Sequence, residues 1–224
     1  MKGRKEDFAG TLPGTGKSQL AFPKSYVVVD LETTGLNPER DQIIEIGALE
    51  VTMGQPGRSF STLLQPRTAL EGQYVSPFIT QLTGITNEML AAAPQSREAL
   101  EAFARFLGGR VVVGYNVGFD MGFLQQQFQV QLYRPLANDW VDLLPMAQTL
   151  FPLWPHHRLN NLAAWYHVVN PEAHRALSDV ETTEACFRKL KQDVRRQYPS
   201  LEAFLEEVRK KIQGKGEGEQ LSLW

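Results

Sequence analysis

The sequence has a single cysteine, no long apolar run and almost no excess charge. One cysteine, Cys186, cannot form a disulfide within the chain, so we expect a reducing, cytoplasmic location. No stretch approaches the ~20 apolar residues of a membrane-spanning helix, and the N-terminus, MKGRKEDFAG, lacks the apolar core of a secretory signal. The net charge of -2 excludes a global basic field for nucleic-acid binding, although a local groove or bound metal ions can supply positive charge.

The length and the local composition predict one folded domain between two tails. The chain has 224 residues, with 42% apolar and 21% charged residues, which is typical of a globular protein. Residues 1–24 are predicted as a flexible leader because glycine, proline, serine and threonine recur there. Within it, GTGKS lacks the first glycine and the preceding strand of a phosphate-binding loop. We expect the domain over residues 25–212, with a last helix at about 200–212, and a flexible tail over 213–224.

The pattern of apolar runs predicts an α/β fold with a mixed five-stranded sheet. Three runs joined by short turns favour an antiparallel meander. Two further short strands alternate with helices, which favours parallel pairing and helices on both faces of the sheet. The predicted strands lie at Tyr26 to Val29, Ile43 to Val51, Phe60 to Leu64, Val111 to Val113 and Asp139 to Asp142, and later helices at 143–151, 159–168 and 179–196.

Two acidic residues follow the first apolar run. Asp30 and Glu32 are two positions apart at the end of a strand, so their side chains leave the same face. Ligands of open α/β sheets bind at this edge. Two carboxylates this close repel each other unless a cation lies between them. Alone, this pair is also compatible with simple turn chemistry.

A third acid occurs in the stretch GYNVGFDMGF. Asn116 is predicted to cap a helix, which puts Asp120 in its first turns. Because its neighbours Phe119, Met121 and Phe123 are apolar, this carboxylate needs either solvent or a partner. The alternative is an acid that is stabilised only by the helix dipole.

The fourth acid and a histidine occur together in HRALSDVETT. Ser178 and Glu181 have the spacing of a capping box, which predicts Asp179 as the first helical residue. His174 lies five positions upstream, close enough to share a site with Asp179. Dipole chemistry for Asp179 and a plain loop position for His174 are the alternatives.

Together, four acids and one histidine predict a centre for hard cations at the edge of the sheet. Oxygen ligands without thiolates favour Mg²⁺ or Mn²⁺, and two such ions are typical of phosphodiester hydrolysis. A histidine with an ordinary pKa of about 6.5 suits a general base.

The stretches DLETTG, YNVGFDMGFL and HRALSD resemble the three motifs of the DnaQ-like 3′→5′ exonucleases of the DEDDh group, which include bacterial DNA polymerase III proofreading exonucleases. The resemblance covers residues 25–192 and implies an RNase H-like fold. It further implies His174 as general base, two Mg²⁺ or Mn²⁺ ions and nucleoside 5′-monophosphate products. It implies metal ligation by Asp30, Glu32, Asp120 and Asp179, and substrate contacts by Thr33, Leu36 and Asn116. Many relatives have His-Asn where this chain has Tyr115-Asn116, a position that carries no ligand.

The motifs leave the nucleic acid undecided. A DNA exonuclease in replication proofreading or repair is the expected function, with DNA 3′ ends as substrate. An RNA 3′-end trimmer would use the same site. A non-catalytic adaptor could retain the fold, but the presence of all five catalytic positions argues against it.

The last five residues, QLSLW, resemble the bacterial sliding-clamp-binding motif, with Trp224 in place of the usual phenylalanine. They follow a glycine-rich, charged stretch that is typical of a tether. A short peptide that inserts Leu221, Leu223 and Trp224 into an apolar pocket is a common recognition mode, with Gln220 completing the motif. The resemblance implies a bacterial cytoplasmic protein that works with the clamp and a polymerase subunit. The alternatives are a tail that packs on its own domain and a chance match.

Overall fold

The computed structural model describes residues 14–67 and 73–216. Its centre is one five-stranded sheet in the order β3-β2-β1-β4-β5. The first three strands are antiparallel, and β4 and β5 run parallel to β1. The predicted mixed sheet is therefore confirmed. The strands are β1 (Tyr26–Thr33), β2 (Ile43–Thr52), β3 (Gln55–Leu63), β4 (Val112–Gly114) and β5 (Trp140–Asp142).

Strand β1 lies in the middle of the sheet, paired with β2 and β4, and helices cover both of its faces. Its residues alternate: Tyr26 and Val28 pack into one apolar cluster, and Val27 and Val29 into the other. A strand buried on both sides is a continuous apolar run, as the sequence VVV shows. On the face of the first cluster, the strand continues with Asp30 and Glu32, which are only half-buried at its C-terminal end.

Eight helices are described, and six of them form two layers, while α1 and α2 contribute Ile79 and Leu90 to a separate small cluster. Helices α3 and α4 contribute to the cluster on one face, and α5, α6, α7 and α8 to the cluster on the other. None of the described helices is long and apolar enough to cross a membrane. The helices are α1 (Pro77–Thr83), α2 (Asn87–Ala91), α3 (Ser96–Leu107), α4 (Gly118–Leu132), α5 (Leu143–Leu150), α6 (Leu159–Trp165), α7 (Ala176–Gln197) and α8 (Leu201–Gly216).

Residues 14–24 pack on the domain, so the prediction of a flexible leader over 1–24 is wrong for this part. The Lys17 backbone N–H and the Gln19 amide donate hydrogen bonds to the Asp139 carboxylate, at 2.8 and 2.6 Å. Ser18 forms a parallel bridge with Trp140, which extends the sheet beyond the edge strand β5. The phenyl ring of Phe22 stacks on the ring of Phe187. An edge strand offers unpaired backbone groups, and this segment satisfies some of them. Residues 1–13 lie outside the described range.

Two predicted helix caps are also wrong. Helix α7 begins at Ala176, three residues before the predicted start, and the Ser178 hydroxyl donates to the Asn170 side chain instead of forming a capping box. Helix α4 has Val117 as its N-cap, and Asn116 lies outside it with a left-handed backbone, φ 56°. The Glu45 carboxylate accepts the Ala176 N–H, and the Asp142 carboxylate accepts the Asn116 N–H, so contacts with distant segments replace the local hydrogen bonds that the sequence favours.

Candidate active site

Asp30 and Glu32 lie on one face of β1, at its C-terminal end. Leu31, between them, points to the opposite face and is buried in the cluster beneath α3 and α4. Both acids are half-buried. The alternation of a β-strand therefore directs the two carboxylates together, on the face that α7 covers.

Asp120 reaches the same edge from helix α4. Its Oδ1 atom accepts a hydrogen bond of 3.1 Å from the backbone N–H of Leu31. Helix α4 follows β4, which lies parallel beside β1, so the first turn of the helix arrives where β1 ends. Asp120 is 5% exposed. Although it belongs to a separate sequence motif, it is bonded directly to the strand that carries the first two acids.

Asp179 lies in the first turn of α7, and its carboxylate is held from the preceding loop. Oδ1 accepts a hydrogen bond of 2.6 Å from the Asn170 amide, and Oδ2 accepts one of 3.0 Å from the His174 backbone N–H. Glu32, His174 and Asp179 each place one ligand atom within 4.8 Å of the others. The structure thus brings together an acid of β1, an acid of α7 and the histidine of the loop.

His174 is exposed and has a left-handed backbone conformation, with φ 65°. This region disfavours residues with a Cβ atom, so surrounding contacts must stabilise it. The bond from its N–H to Asp179 is one such contact. The residue is thus exposed while a ring nitrogen of its imidazole stays close to the Glu32 and Asp179 carboxylates.

The carboxylates repel one another and are poorly solvated. Burial, followed by the charges of Asp120, Asp179, Glu32 and Glu45, raises the pKa of Asp30 well above its ordinary value. Burial and then Asp179 raise the pKa of Glu32 to about 8. Burial also raises the pKa of Asp120. Such a group of acids favours either bound protons or a bound cation.

An ion pair next to these acids was not predicted. Glu45 is the direct cross-strand neighbour of Glu32 and is 2% exposed. Its carboxylate accepts hydrogen bonds from the Arg175 guanidinium, at 2.8 Å for the shortest, and from the Ala176 backbone N–H at 3.1 Å. The signal in the sequence was a single acid within the apolar run IIEIGAL.

A second unpredicted acid, Asp142, organises the neighbouring loop. Its Oδ1 atom caps α5 by accepting the Leu144 N–H at 2.9 Å, and it also accepts the Asn116 N–H at 2.8 Å. Burial raises the pKa of this carboxyl group. Because the same atom holds both backbone groups, Asp142 fixes the position of Asn116 just before α4.

The predicted substrate contacts lie at the same end of the sheet. Thr33 ends β1, is buried, and donates its hydroxyl hydrogen to the Gly35 carbonyl at 2.6 Å. Leu36 follows in the turn and is 69% exposed. Asn116 is exposed between β4 and α4. The predicted clamp-binding residues, Gln220, Leu221, Leu223 and Trp224, lie outside the described residues.

Known proteins match this chain over most of its length. The family model described as Exonuclease matches residues 27–187. The DNA polymerase III PolC-type of Latilactobacillus sakei is 35% identical over 182 residues, which are 81% of this chain and 12% of that protein. The corresponding protein of Oceanobacillus iheyensis is 37% identical over 171 residues, 76% of this chain and 12% of that protein. The chain thus spans only a small part of these curated relatives.

The fold also matches a solved nuclease structure. Exonuclease I of E. coli in complex with a dA16 oligonucleotide superposes with a TM-score of 0.65 and 25% identity. The match covers 80% of this chain and 42% of that one. The mixed sheet with helices on both faces therefore matches the fold of the aligned part of that protein, as expected for an RNase H-like domain.

Proposed function

Because this chain belongs to the family described as Exonuclease, we propose that it acts on DNA and hydrolyses the last phosphodiester at the 3′ end of a strand. The observation that carries this proposal is the convergence of four carboxylates and one histidine at the C-terminal end of β1. Relatives named as DNA polymerases and a fold match to an exonuclease bound to a DNA oligonucleotide favour DNA over RNA.

The donor set fits divalent cations. Asp30, Glu32, Asp120 and Asp179 supply only carboxylate oxygens, which suit Mg²⁺ or Mn²⁺. Burial and the neighbouring acids raise the pKa values of Asp30 and Glu32, so a bound cation would favour the ionised carboxylates. We propose that these four acids hold two ions, which when bound neutralise charge on the phosphate and lower the pKa of a bound water.

His174 is proposed as the general base. In the reaction, its imidazole accepts a proton from water, and the water oxygen forms a bond to phosphorus. The bond from phosphorus to the 3′ oxygen of the preceding nucleotide breaks, and that oxygen takes up a proton. The product is a nucleoside 5′-monophosphate. The bond from His174 N–H to Asp179 supports this role, because it ties the base to a ligand acid.

Substrate contacts are proposed on the rim around the acids. Leu36, 69% exposed in the turn after β1, has an apolar surface against which a terminal base can pack. Thr33 lies at the end of β1, and Asn116 is held beside the acids by Asp142. These three residues would orient the last nucleotide so that its phosphate lies over the carboxylates.

Degradation assays test this function directly. Single-stranded DNA, a primer–template with a 3′ mismatch, and RNA, each labelled at the 5′ end, would be incubated with Mg²⁺ or with EDTA. We expect a ladder shortened from the 3′ end of the DNA substrates with Mg²⁺ alone, and no products from Asp179→Ala. Faster trimming of RNA would favour the RNA 3′-end trimmer, and no hydrolysis of any substrate would favour a non-catalytic adaptor.

We further propose that the C-terminal residues Gln220 to Trp224 bind the bacterial sliding clamp. Support comes from the sequence QLSLW, its place after a glycine-rich stretch, and relatives named as bacterial DNA polymerases. A tether raises the local concentration of a weakly bound enzyme near its substrate. Such an arrangement would direct the exonuclease to replication proofreading or repair in the bacterial cytoplasm, beside a polymerase subunit.

A further inference from the structure

A buried glutamate of β2 bonds to the residues that directly follow the proposed general base. The Glu45 Oε1 atom accepts the Arg175 Nη2 at 2.8 Å, and the Arg175 Nε lies 3.2 Å from Oε2. The same Oε2 accepts the Ala176 N–H at 3.1 Å. Since α7 has no side-chain cap of its own, this carboxylate from a distant strand serves the start of the helix.

The backbone of β2 approaches the start of α7 closely. Gly47 lies opposite Asp30 on β2, and a Cβ atom at this position would lie 2.4 Å from the Ala176 carbonyl carbon. A larger residue would force the helix away from the sheet. Glu45 and Gly47 therefore fix the beginning of α7 in place, one through hydrogen bonds and the other through the absence of a side chain.

This docking coincides with a strained residue. His174 has a left-handed backbone, φ 65°, and its N–H bonds to Asp179. Such a conformation persists only where neighbouring contacts hold it. On its C-terminal side those contacts are the bonds of Arg175 and Ala176 to Glu45, and the Arg175 N–H also donates to the Glu172 carbonyl at 3.1 Å.

Stability alone is a weak explanation for this ion pair. Burying a carboxylate is costly, and well-packed apolar residues often stabilise a protein as well as a buried ion pair does. Glu45 also lies opposite Glu32, where like charges on neighbouring strands disfavour each other. Arg175 offsets this repulsion, since its guanidinium carries the opposite charge.

We propose that Glu45 and Arg175 are positioning residues that hold His174 and Asp179 in the geometry for hydrolysis. Neither contacts the reacting atoms; each acts through the backbone of residues 174–176. This inference rests on the proposed function, because it assigns His174 as the base. This role requires the planar guanidinium group of Arg175, because a lysine offers one point charge in place of two directed hydrogen bonds.

The kinetic test compares Glu45→Gln and Arg175→Lys with a matched control. Glu50→Gln is the control because Glu50 lies on the same strand and pairs with Arg58 through two hydrogen bonds, away from these residues. We expect the first two variants to lower kcat on single-stranded DNA by about 10- to 100-fold. The control should retain the wild-type kcat. Wild-type kcat in Glu45→Gln would overturn the proposal.

A double-mutant cycle separates positioning from a general loss of folded protein. If Glu45 acts by holding His174 and Asp179, then adding Glu45→Gln to His174→Ala should slow hydrolysis by clearly less than the product of the two single losses. If Glu45 only maintains the fold, the two losses multiply, and the proposal fails. The pH dependence of kcat in Glu45→Gln adds a check. A smaller fraction of folded protein would lower kcat by the same factor at every pH and would leave the shape of the profile unchanged.

A spectroscopic readout does not depend on activity. The amide ¹H–¹⁵N resonance of His174 reports its hydrogen bond to Asp179, so it should shift in Glu45→Gln and stay in place in Glu50→Gln. No shift in Glu45→Gln would overturn the positioning role even if the wild-type protein hydrolyses DNA. If Glu45→Gln shows the shift but the wild-type protein has no nuclease activity, the structural coupling stands and the proposed function is refuted instead.

Discussion

The Asp120 Oδ1 atom accepts a hydrogen bond of 3.1 Å from the backbone N–H of Leu31, the residue between Asp30 and Glu32. This bond joins positions 89 residues apart and connects α4 to the end of β1. Because the donor is a backbone group of a central strand, Asp120 is held in place even without a cation. The acids are therefore brought together by the fold, against their mutual repulsion, and this has measurable consequences.

Replacing one acid should trade stability against activity. Asp30→Asn removes a carboxylate whose pKa burial and neighbouring charges raise. In EDTA at pH 8 we expect its free energy of unfolding to rise by about 1 kcal/mol, measured by urea denaturation. Its nuclease activity with Mg²⁺ should fall at least about 100-fold. Asp193→Asn, which changes an acid paired with Arg196, is the control for both measurements. If Asp30→Asn keeps its nuclease activity and its free energy of unfolding does not rise, Asp30 is not an acid of the proposed metal site.

Removing the imidazole of His174 should abolish most hydrolysis and leave the fold intact. A general base contributes about 10²- to 10⁴-fold to a rate, so His174→Ala should lose activity within that range, measured as release of mononucleotides. His167→Ala is a close control, because His167 is also exposed and has a positive φ of 52°. Equal rates for the two variants would exclude His174 as the base.

The metal-free protein should lose stability as the pH rises. In the folded state the pKa of Glu32 is raised from 4.5 to about 8, so the folded protein binds more protons than the unfolded chain between these values. Stability is therefore greatest at the acidic end of this window and falls towards pH 8. A tenfold difference in proton affinity between the folded and unfolded states corresponds to about 1.4 kcal/mol, so a change of a few kcal/mol is expected.

Urea denaturation at pH 5 and pH 8 in EDTA measures this dependence. Mg²⁺ at pH 8 should restore much of the lost stability, because a cation favours the ionised carboxylates. Glu32→Gln should flatten the dependence partly, since Asp30 and Asp120 contribute in the same direction. Stability that increases from pH 5 to pH 8 without metal would contradict the described electrostatics.

Deleting residues 220–224 should separate clamp binding from catalysis. We expect the shortened protein to lose binding to a bacterial sliding clamp, measured by surface plasmon resonance, because three apolar side chains are removed. Hydrolysis of free oligonucleotides should be unchanged. A full-length protein with both Leu221→Ala and Leu223→Ala tests the same point without shortening the chain. Clamp affinity that survives both changes would refute this role.

The docked N-terminal segment should contribute to stability. The ring of Phe22 lies 5.6 Å from that of Phe187, centroid to centroid, and the Lys191 ammonium lies over it at 5.7 Å. Phe22→Ala should therefore lower the free energy of unfolding by about 2 kcal/mol. Phe78→Ala makes the same chemical change at a side chain that is 69% exposed, and should change it by less than about 0.5 kcal/mol. If both variants change the free energy of unfolding by similar amounts, the packing of residues 14–24 on the domain does not contribute to stability.

Periodicity and short-range spacing were sufficient to predict the sheet and the common face of Asp30 and Glu32. The run VVV, bounded by a turn, predicts a central strand, and the two-residue spacing of Asp30 and Glu32 puts both on one face whatever the rest of the chain does. The alternation of later strands and helices predicts parallel pairing because a crossover needs a helix. These features depend on neighbours in the chain, so they can be recognised without the tertiary structure.

Other features depend on residues far apart in sequence. Helix α7 begins at Ala176 because Glu45, 131 positions away, accepts its N–H, and a local capping box at Ser178 loses to that contact. Residues 14–24 pack on the domain because Asp139 and Trp140 of the far edge offer hydrogen bonds. A hydrogen bond between distant segments has no periodicity and leaves no spacing in the sequence, so only the folded chain reveals which local preference it overrides.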